Sequence, residues 1–184
     1  MPTQRFQPRT NLLPAVLLFT LGLLSGKWTE PIAHAQTQPS SSTTIFENVT
    51  LSPNFAPDPI TVRGISGGSR AASDLAGRTE TSTGACVGYV DGRSDHTIVL
   101  TSFFDYLSLE VQSPENTTLV IRGPGGVWCN DTYAGQNPGI VGQWFSGTYE
   151  VWVGSSTPDT YHPYVIRISG TRPTSPQPTP PISP

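Results

Sequence analysis

Lysine is almost absent from this chain. Its 184 residues hold 10 lysines and arginines together, of which only Lys27 is a lysine, against 13 aspartates and glutamates. An acidic chain without basic runs lacks the phosphate-neutralising surface that nucleic-acid binding requires, and it has no polybasic patch for anionic lipid. Neither nucleic acid nor a lipid surface is an expected partner. Histidine is scarce as well: His34, His96 and His162 are all there are, and Cys86 and Cys129 are the two cysteines. Catalytic zinc normally takes three protein ligands, so His96 and His162 alone build no such site. Long apolar runs are missing too. Leu12 to Leu24 would reach about 20 Å as a helix, short of a hydrocarbon core roughly 30 Å thick. Beyond that run, no window repeats apolar residues at i, i+3, i+4 and i+7 over three turns, which excludes a helical domain.

The apolar run has a setting of its own. Arg5 and Arg9 precede it and Ala33-His34-Ala35 follow it as a small-x-small site, the arrangement of a secretory signal peptide cleaved before Gln36. With no Arg-Arg pair and no cysteine behind the cleavage point, general secretion is the expected route. The mature chain is then secreted or periplasmic and does not insert in the membrane. Cleavage removes Arg5, Arg9, Lys27 and Glu30, which leaves no lysine at all and a more acidic chain. At the other end Thr171 to Pro184 reads TRPTSPQPTPPISP, too rich in proline and too poor in apolar surface to pack. The expected organisation is a signal peptide over 1–35, a polar leader over 36–44, one domain over 45–170 and a disordered tail over 171–184.

Inside the domain, short runs rich in Val, Ile, Thr, Tyr and Trp alternate with Gly, Pro, Asn, Asp and Ser clusters. Eight strands are predicted: Ile45 to Leu51, Ile60 to Ile65, Ala85 to Val90, Thr97 to Thr101, Tyr106 to Gln112, Thr118 to Arg122, Thr148 to Val153 and Tyr164 to Ser169. This pattern predicts an all-β fold, an antiparallel β-sandwich or jelly-roll. Parity adds detail, because side chains alternate across a strand. Leu107, Leu109 and Val111 share one face, and so do Tyr149, Val151 and Val153, with Trp152 on the opposite side. In an oxidising compartment Cys86 and Cys129 are expected to pair. Closing a loop of about 44 residues would stabilise the fold by roughly 4 kcal/mol, tying the Ala85 to Val90 strand to the loop after Arg122.

NTTLVIRGPGG at Asn116 to Gly126, WCND at Trp128 to Asp131, GTYEVWVG at Gly147 to Gly154 and YVIRIS at Tyr164 to Ser169 resemble the bacterial pre-peptidase C-terminal domain family. The CVGY segment at Cys86 to Tyr89 ahead of WCND also resembles small secreted cyanobacterial proteins. The resemblance implies a β-sandwich that accompanies secreted proteases without catalysing a reaction itself. Asn116 stands where that family usually has Asp.

Few residues suggest chemistry. Gly64-Ile65-Ser66-Gly67-Gly68 matches G-x-S-x-G, but a nucleophile elbow needs a helix after the serine and a larger α/β sheet. A glycine-rich turn is the expectation, with nothing helical behind it. His96 and His162 are expected at the surface. Asp91, Asp95, Asp105, Asn130 and Asp131 are candidate calcium ligands, since loop oxygens suit a hard cation; Asx turns explain them without metal. No other cofactor is expected. Trp128, Trp144 and Trp152 are candidate ligand-binding aromatics, because exposed flat rings stack on sugars or anchor a protein partner; burial beneath a second layer is the competing expectation for Trp152. The functional expectation is a non-catalytic binding or accessory module for a secreted protein or a cell-envelope glycan. A secreted hydrolase or its fragment and a structural envelope protein are the alternatives.

Overall fold

A computed structural model describes residues 45–174, apart from 134 and 136. The signal peptide, the polar leader and residues 175–184 of the expected tail lie outside the described residues. The elements in chain order are β1 (Val49–Leu51), β2 (Ile60–Ser66), β3 (Arg70–Ala71), α1 (Ala72–Ala76), β4 (Glu80–Thr81), β5 (Gly84–Ala85), β6 (Tyr89–Val90), β7 (His96–Leu100), β8 (Phe104–Gln112), β9 (Thr117–Gly123), β10 (Gly126–Asn130), β11 (Gly139–Trp144), β12 (Gly147–Ser155) and β13 (His162–Ser169).

The alternating runs become two facing sheets, as the sequence leads one to expect. In the first, β12 is central: β9 pairs along one edge and carries β10 beyond it. Along the other edge lie β7 and, further up, β6. β1 joins β7 in parallel, while β3 joins β6. The second sheet is antiparallel throughout, in the order β11-β8-β13-β2. Leu107, Leu109 and Val111 from β8 meet Tyr149, Val151 and Val153 from β12 in one core, with Ile98, Leu119, Ile121, Ile166 and Ile168. Each such fully buried aliphatic side chain contributes roughly 1.5–3 kcal/mol.

Several local expectations are corrected. Ile45 to Asn48 lie outside the first strand. The Ala85 to Val90 stretch breaks into β5 and β6 around Gly88, whose φ is +83°. Cys129 sits on β10, not in a loop, and β11 is a further strand; two glycines in its six residues hide it from propensity. Ser66 ends β2, and a five-residue helix, α1, does follow. It carries no side-chain N-cap, and Gly77 in the left-handed region closes it. No described helix is long and apolar enough to cross a membrane.

Cys86 and Cys129 form a disulfide. It lies on the outer face of the first sheet, in a second apolar cluster with Trp152, Val120, Val90, Ala72 and Leu75. The bond favours an oxidising, extracytoplasmic compartment. The chain after β13 is also tied down: Asp58 accepts from the Gly170 N–H at 3.2 Å and the Thr171 hydroxyl at 2.7 Å. Arg172 meets Asp105 at 3.0 Å and lies 4.8 Å from the centre of the Tyr106 ring.

Candidate functional site

The two sheets part along the flank where β10 and β11 end them. β10 pairs with β9 and β11 with β8, and among the described residues neither has a strand partner on its outer side. Along β11 the inward residues are Ile140, Gly142 and Trp144. Ile140 and Trp144 belong to the core, whereas a Cβ added at Gly142 would meet nothing within 4 Å. The missing side chain leaves a hollow of about 100 Å³, walled by Trp128, Ile140, Trp144, Tyr149, Pro124 and Phe145.

Its walls are held in place. The Trp144 indole N–H donates to the Leu107 carbonyl at 3.0 Å, and the Tyr149 hydroxyl donates to the Phe145 carbonyl at 2.9 Å. Half-buried Trp128 lies 6.3 Å from Trp144 and 6.2 Å from Tyr149, centre to centre. At the mouth of the hollow Phe145 is 62% exposed, and Phe103 beyond it is 47% exposed, with ring centres 6.1 Å apart. Phe145 stands outward because the chain turns there into Gly147, at φ +136° and packed on Pro124. The rim is polar: Gln143 donates its amide N–H to Asp105 at 2.9 Å. That bond, followed by the hydrogen bond and charge of Arg172, holds the Asp105 carboxyl below the usual range. Among the described residues no carboxylate, guanidinium or imidazole lines the hollow, so it suits uncharged, apolar groups. At about 100 Å³ it is smaller than the pockets of roughly 300–1,000 Å³ that enclose small molecules.

A polar cluster occupies another part of the sandwich. His96 is buried, contrary to expectation: one ring nitrogen faces the Glu47 carbonyl at 2.8 Å and the other the Tyr164 hydroxyl at 2.9 Å. Burial pulls its pKa down against the Glu47 carbonyl and charge. Burial, then the charge of Asp95, pushes the Tyr164 hydroxyl up. Asp95 accepts the Val153 N–H at 2.7 Å. Its pKa is pushed up to about 7 by burial, with the Val153 N–H opposing and the Asp91 charge adding. Ser66 is buried and shares a hydrogen bond with Ser155 at 3.0 Å, so both His96 nitrogens and the Ser66 hydroxyl are already engaged with other groups.

The remaining candidates are scattered. Asp91 and Asp95 border one surface hollow, and Asp105 lies on β8. Asn130 is buried: its amide donates to Thr83 O at 2.7 Å and its carbonyl accepts Gly139 N–H at 3.0 Å. Asp131 follows it at the start of the loop to β11. Among the described residues no three His, Cys, Asp or Glu side chains gather as a metal site would require. Of the aromatic candidates, Trp128 borders the hollow. Trp144 and Trp152 are only 5% and 3% exposed, so neither offers a free stacking face; this corrects the expectation for Trp144, and for Trp152 it is the burial expectation that the structure follows. Parity placed Trp152 rightly, opposite the main core, and the disulfide cluster covers it. Phe103 and Gly142 escaped sequence reading. The alternation of Ile140, Gly142 and Trp144 was the signal available for Gly142.

Fold and flank together define a β-sandwich with an aromatic cleft between two sheet edges. No protein-family model matches the chain. An uncharacterized protein of Synechococcus elongatus is 32% identical over 111 residues, which span 58% of this chain and 72% of that protein. The chain belongs to that protein's family. Among solved structures, the pre-peptidase C-terminal domain of a Bacillus anthracis collagenase aligns over 67% of this chain and 95% of its own length, at 11% identity and a TM-score of 0.39.

Proposed function

We propose that this is an exported, non-catalytic binding module, domain 45–170 behind a cleaved signal peptide, which engages a protein or glycan surface through the flank between β10 and β11. The observation that carries this reading is the pair of adjoining, exposed rings, Phe103 and Phe145, tilted 51° to one another beside an apolar hollow without charged lining among the described residues. Large exposed apolar groups that adjoin one another mark interaction sites more often than isolated ones do. The disulfide supports the extracytoplasmic setting. Ser66, buried and bonded to Ser155, supports the non-catalytic part. An accessory role beside secreted enzymes is what the sequence resemblance suggests.

The test is adhesion of the purified protein to the envelope fraction of its native source and to the polysaccharides extracted from it. In a Phe103→Ala/Phe145→Ala variant, adhesion should fall roughly tenfold or more, as loss of aromatic anchors does, with the melting temperature unchanged. Undiminished adhesion would move the contact surface elsewhere. Turnover of ester, peptide or glycoside substrates that is lost in Ser66→Ala or Asp105→Ala would replace this reading with a hydrolase.

A further inference from the structure

We propose that an extended, uncharged peptide segment of a partner protein adds to the free edge of β11 and seats one apolar side chain in the hollow over Gly142. This deepens the binding-module reading and rests on it.

The register of β11 specifies the arrangement. The Val111 N–H donates to the Pro138 carbonyl at 2.9 Å, and the pairing continues through Ile140 with Leu109 and Gly142 with Leu107. In an antiparallel ladder every second residue turns its N–H and C=O to the same neighbour. Ile140 and Gly142 therefore face β8, and Gly139 and Val141 face outward; the register shifts between Gly142 and Trp144 with the extra residue on β8, so the alternation of β11 itself continues outward at Gln143. Asn130 occupies the Gly139 N–H. Outside the ladder with β8, the backbone groups of Val141 and Gln143 make no hydrogen bond among the described residues. A strand bonded to Val141 and Gln143 places its middle residue opposite Gly142 in a close, non-hydrogen-bonded pair. There the Cα atoms lie about 4.5 Å apart and the side chains share a face. That face is the one on which the glycine leaves its vacancy.

Charge decides what enters. The hollow presents Trp128, Trp144, Tyr149, Ile140 and Pro124 and no ionised group, so a charged side chain would lose its hydration with nothing to compensate. β11 itself, Gly-Ile-Val-Gly-Gln-Trp, has none of the lysine, other charge or proline by which edge strands are usually kept from pairing. A second copy of this chain is the poorer fit. Two-fold pairing of β11 with itself through Val141 and Gln143 sets Gly142 against Gly142 and leaves both hollows empty.

The probe is a set of short, capped, fluorescently labelled threonine peptides with a central leucine or, as control, a central glycine, titrated against the full exported chain by anisotropy. The leucine peptide should bind about tenfold or more tightly than the glycine peptide. Gly142→Val, which fills the hollow, should weaken leucine-peptide binding by a similar factor without lowering the melting temperature. Val141→Pro removes an outward N–H that β8 does not use and should weaken both peptides. Equal binding by wild type and Gly142→Val would overturn the proposal. So would binding of neutral oligosaccharide with no response to peptide, or a dimer in sedimentation that Val141→Pro abolishes. If peptides fail while Phe103→Ala/Phe145→Ala still loses adhesion, strand addition falls and the binding-module reading stands; if adhesion also persists in that variant, both fall.

Discussion

β12 buries aromatic rings on both of its faces, and the two faces are closed by different means. Inward, Tyr149 meets the second sheet and joins Trp144 and Trp128, with ring centres 5.0 and 6.2 Å away. Outward, Trp152 packs with Ala72 and Leu75 of the five-residue helix, Val90, Val120 and the Cys86–Cys129 bond. The Arg122 guanidinium stands 5.4 Å from its ring and donates to the Leu75 carbonyl at 2.6 Å. A sheet can cover a sheet by its own ladder, whereas a helix this short is not stable alone. The outer cover therefore depends on the covalent bond and the cation that pin it. Polar satisfaction differs as well: the Trp144 indole N–H has an acceptor, and the Trp152 Nε1 has none among the described residues.

Breaking the bond tests that contrast most severely. Cys86→Ser/Cys129→Ser should cost about 4 kcal/mol by the loop-closure model. Hydrogen exchange should lose protection first in α1, β3 and β6, and last in β8 and β13. Uniform loss of protection would show that the two clusters form one cooperative unit.

Next in size is a pH effect in the polar cluster. Asp95 holds a proton more tightly folded, at about 7, than its ordinary 3.8. The stability it contributes is therefore complete below its unfolded pKa and is lost as pH rises toward 7. His96 runs the other way: its folded pKa is depressed, so its contribution is complete above 6.5 and is lost as pH falls. Asp95→Asn keeps an acceptor for the Val153 N–H and removes the buried charge. It should raise stability at pH 8 by roughly 2 kcal/mol, discounted for partial exposure, and change little at pH 4. An equal gain at both values, read from urea midpoints, would exclude titration of Asp95 as the cause.

Trp→Phe at each of the two buried indoles sharpens the comparison directly. At Trp144 it removes the indole bond to the Leu107 carbonyl, which the ladder sets opposite Gly142, and should cost about 0.5–1.5 kcal/mol beyond the change in packing. At Trp152 it deletes a donor that has no partner and should come out smaller by that amount. The smallest effect is expected at the flank. Gly142→Ala, at an ordinary φ with open space around the new Cβ, should stabilise by about 0.5 kcal/mol through the unfolded state. A loss of stability there would mean that the hollow is tighter than its walls suggest.

Most of the architecture was legible in the residues. The strands of the second sheet announce themselves, except β11, by alternation over long stretches, and β8 and β12 sort their inward side chains without exception at Leu107, Leu109, Val111, Tyr149, Val151 and Val153. The candidate site was less legible. Trp128 is among the residues the sequence singles out, whereas Phe103 and Gly142 carry no pattern that does so. A hydrophobic pattern records filled positions, and the cleft is made by an unfilled one. His96 was misjudged because a strand-opening histidine carries no local sign that Glu47 and Tyr164 will supply partners from 49 and 68 positions away.

The sequence by itself determined an all-β domain, the parity of its central strands and the pairing of its two cysteines. Those follow from local stereochemistry and from the redox chemistry of an oxidising compartment. Only the tertiary structure decided that Trp152 is roofed, that Ser66 and His96 are enclosed, and that Gly142 opens a hollow beside an edge unpaired among the described residues. Each of those depends on which distant segment comes to lie against a face, and alternation along a strand says that a face is buried without saying by what.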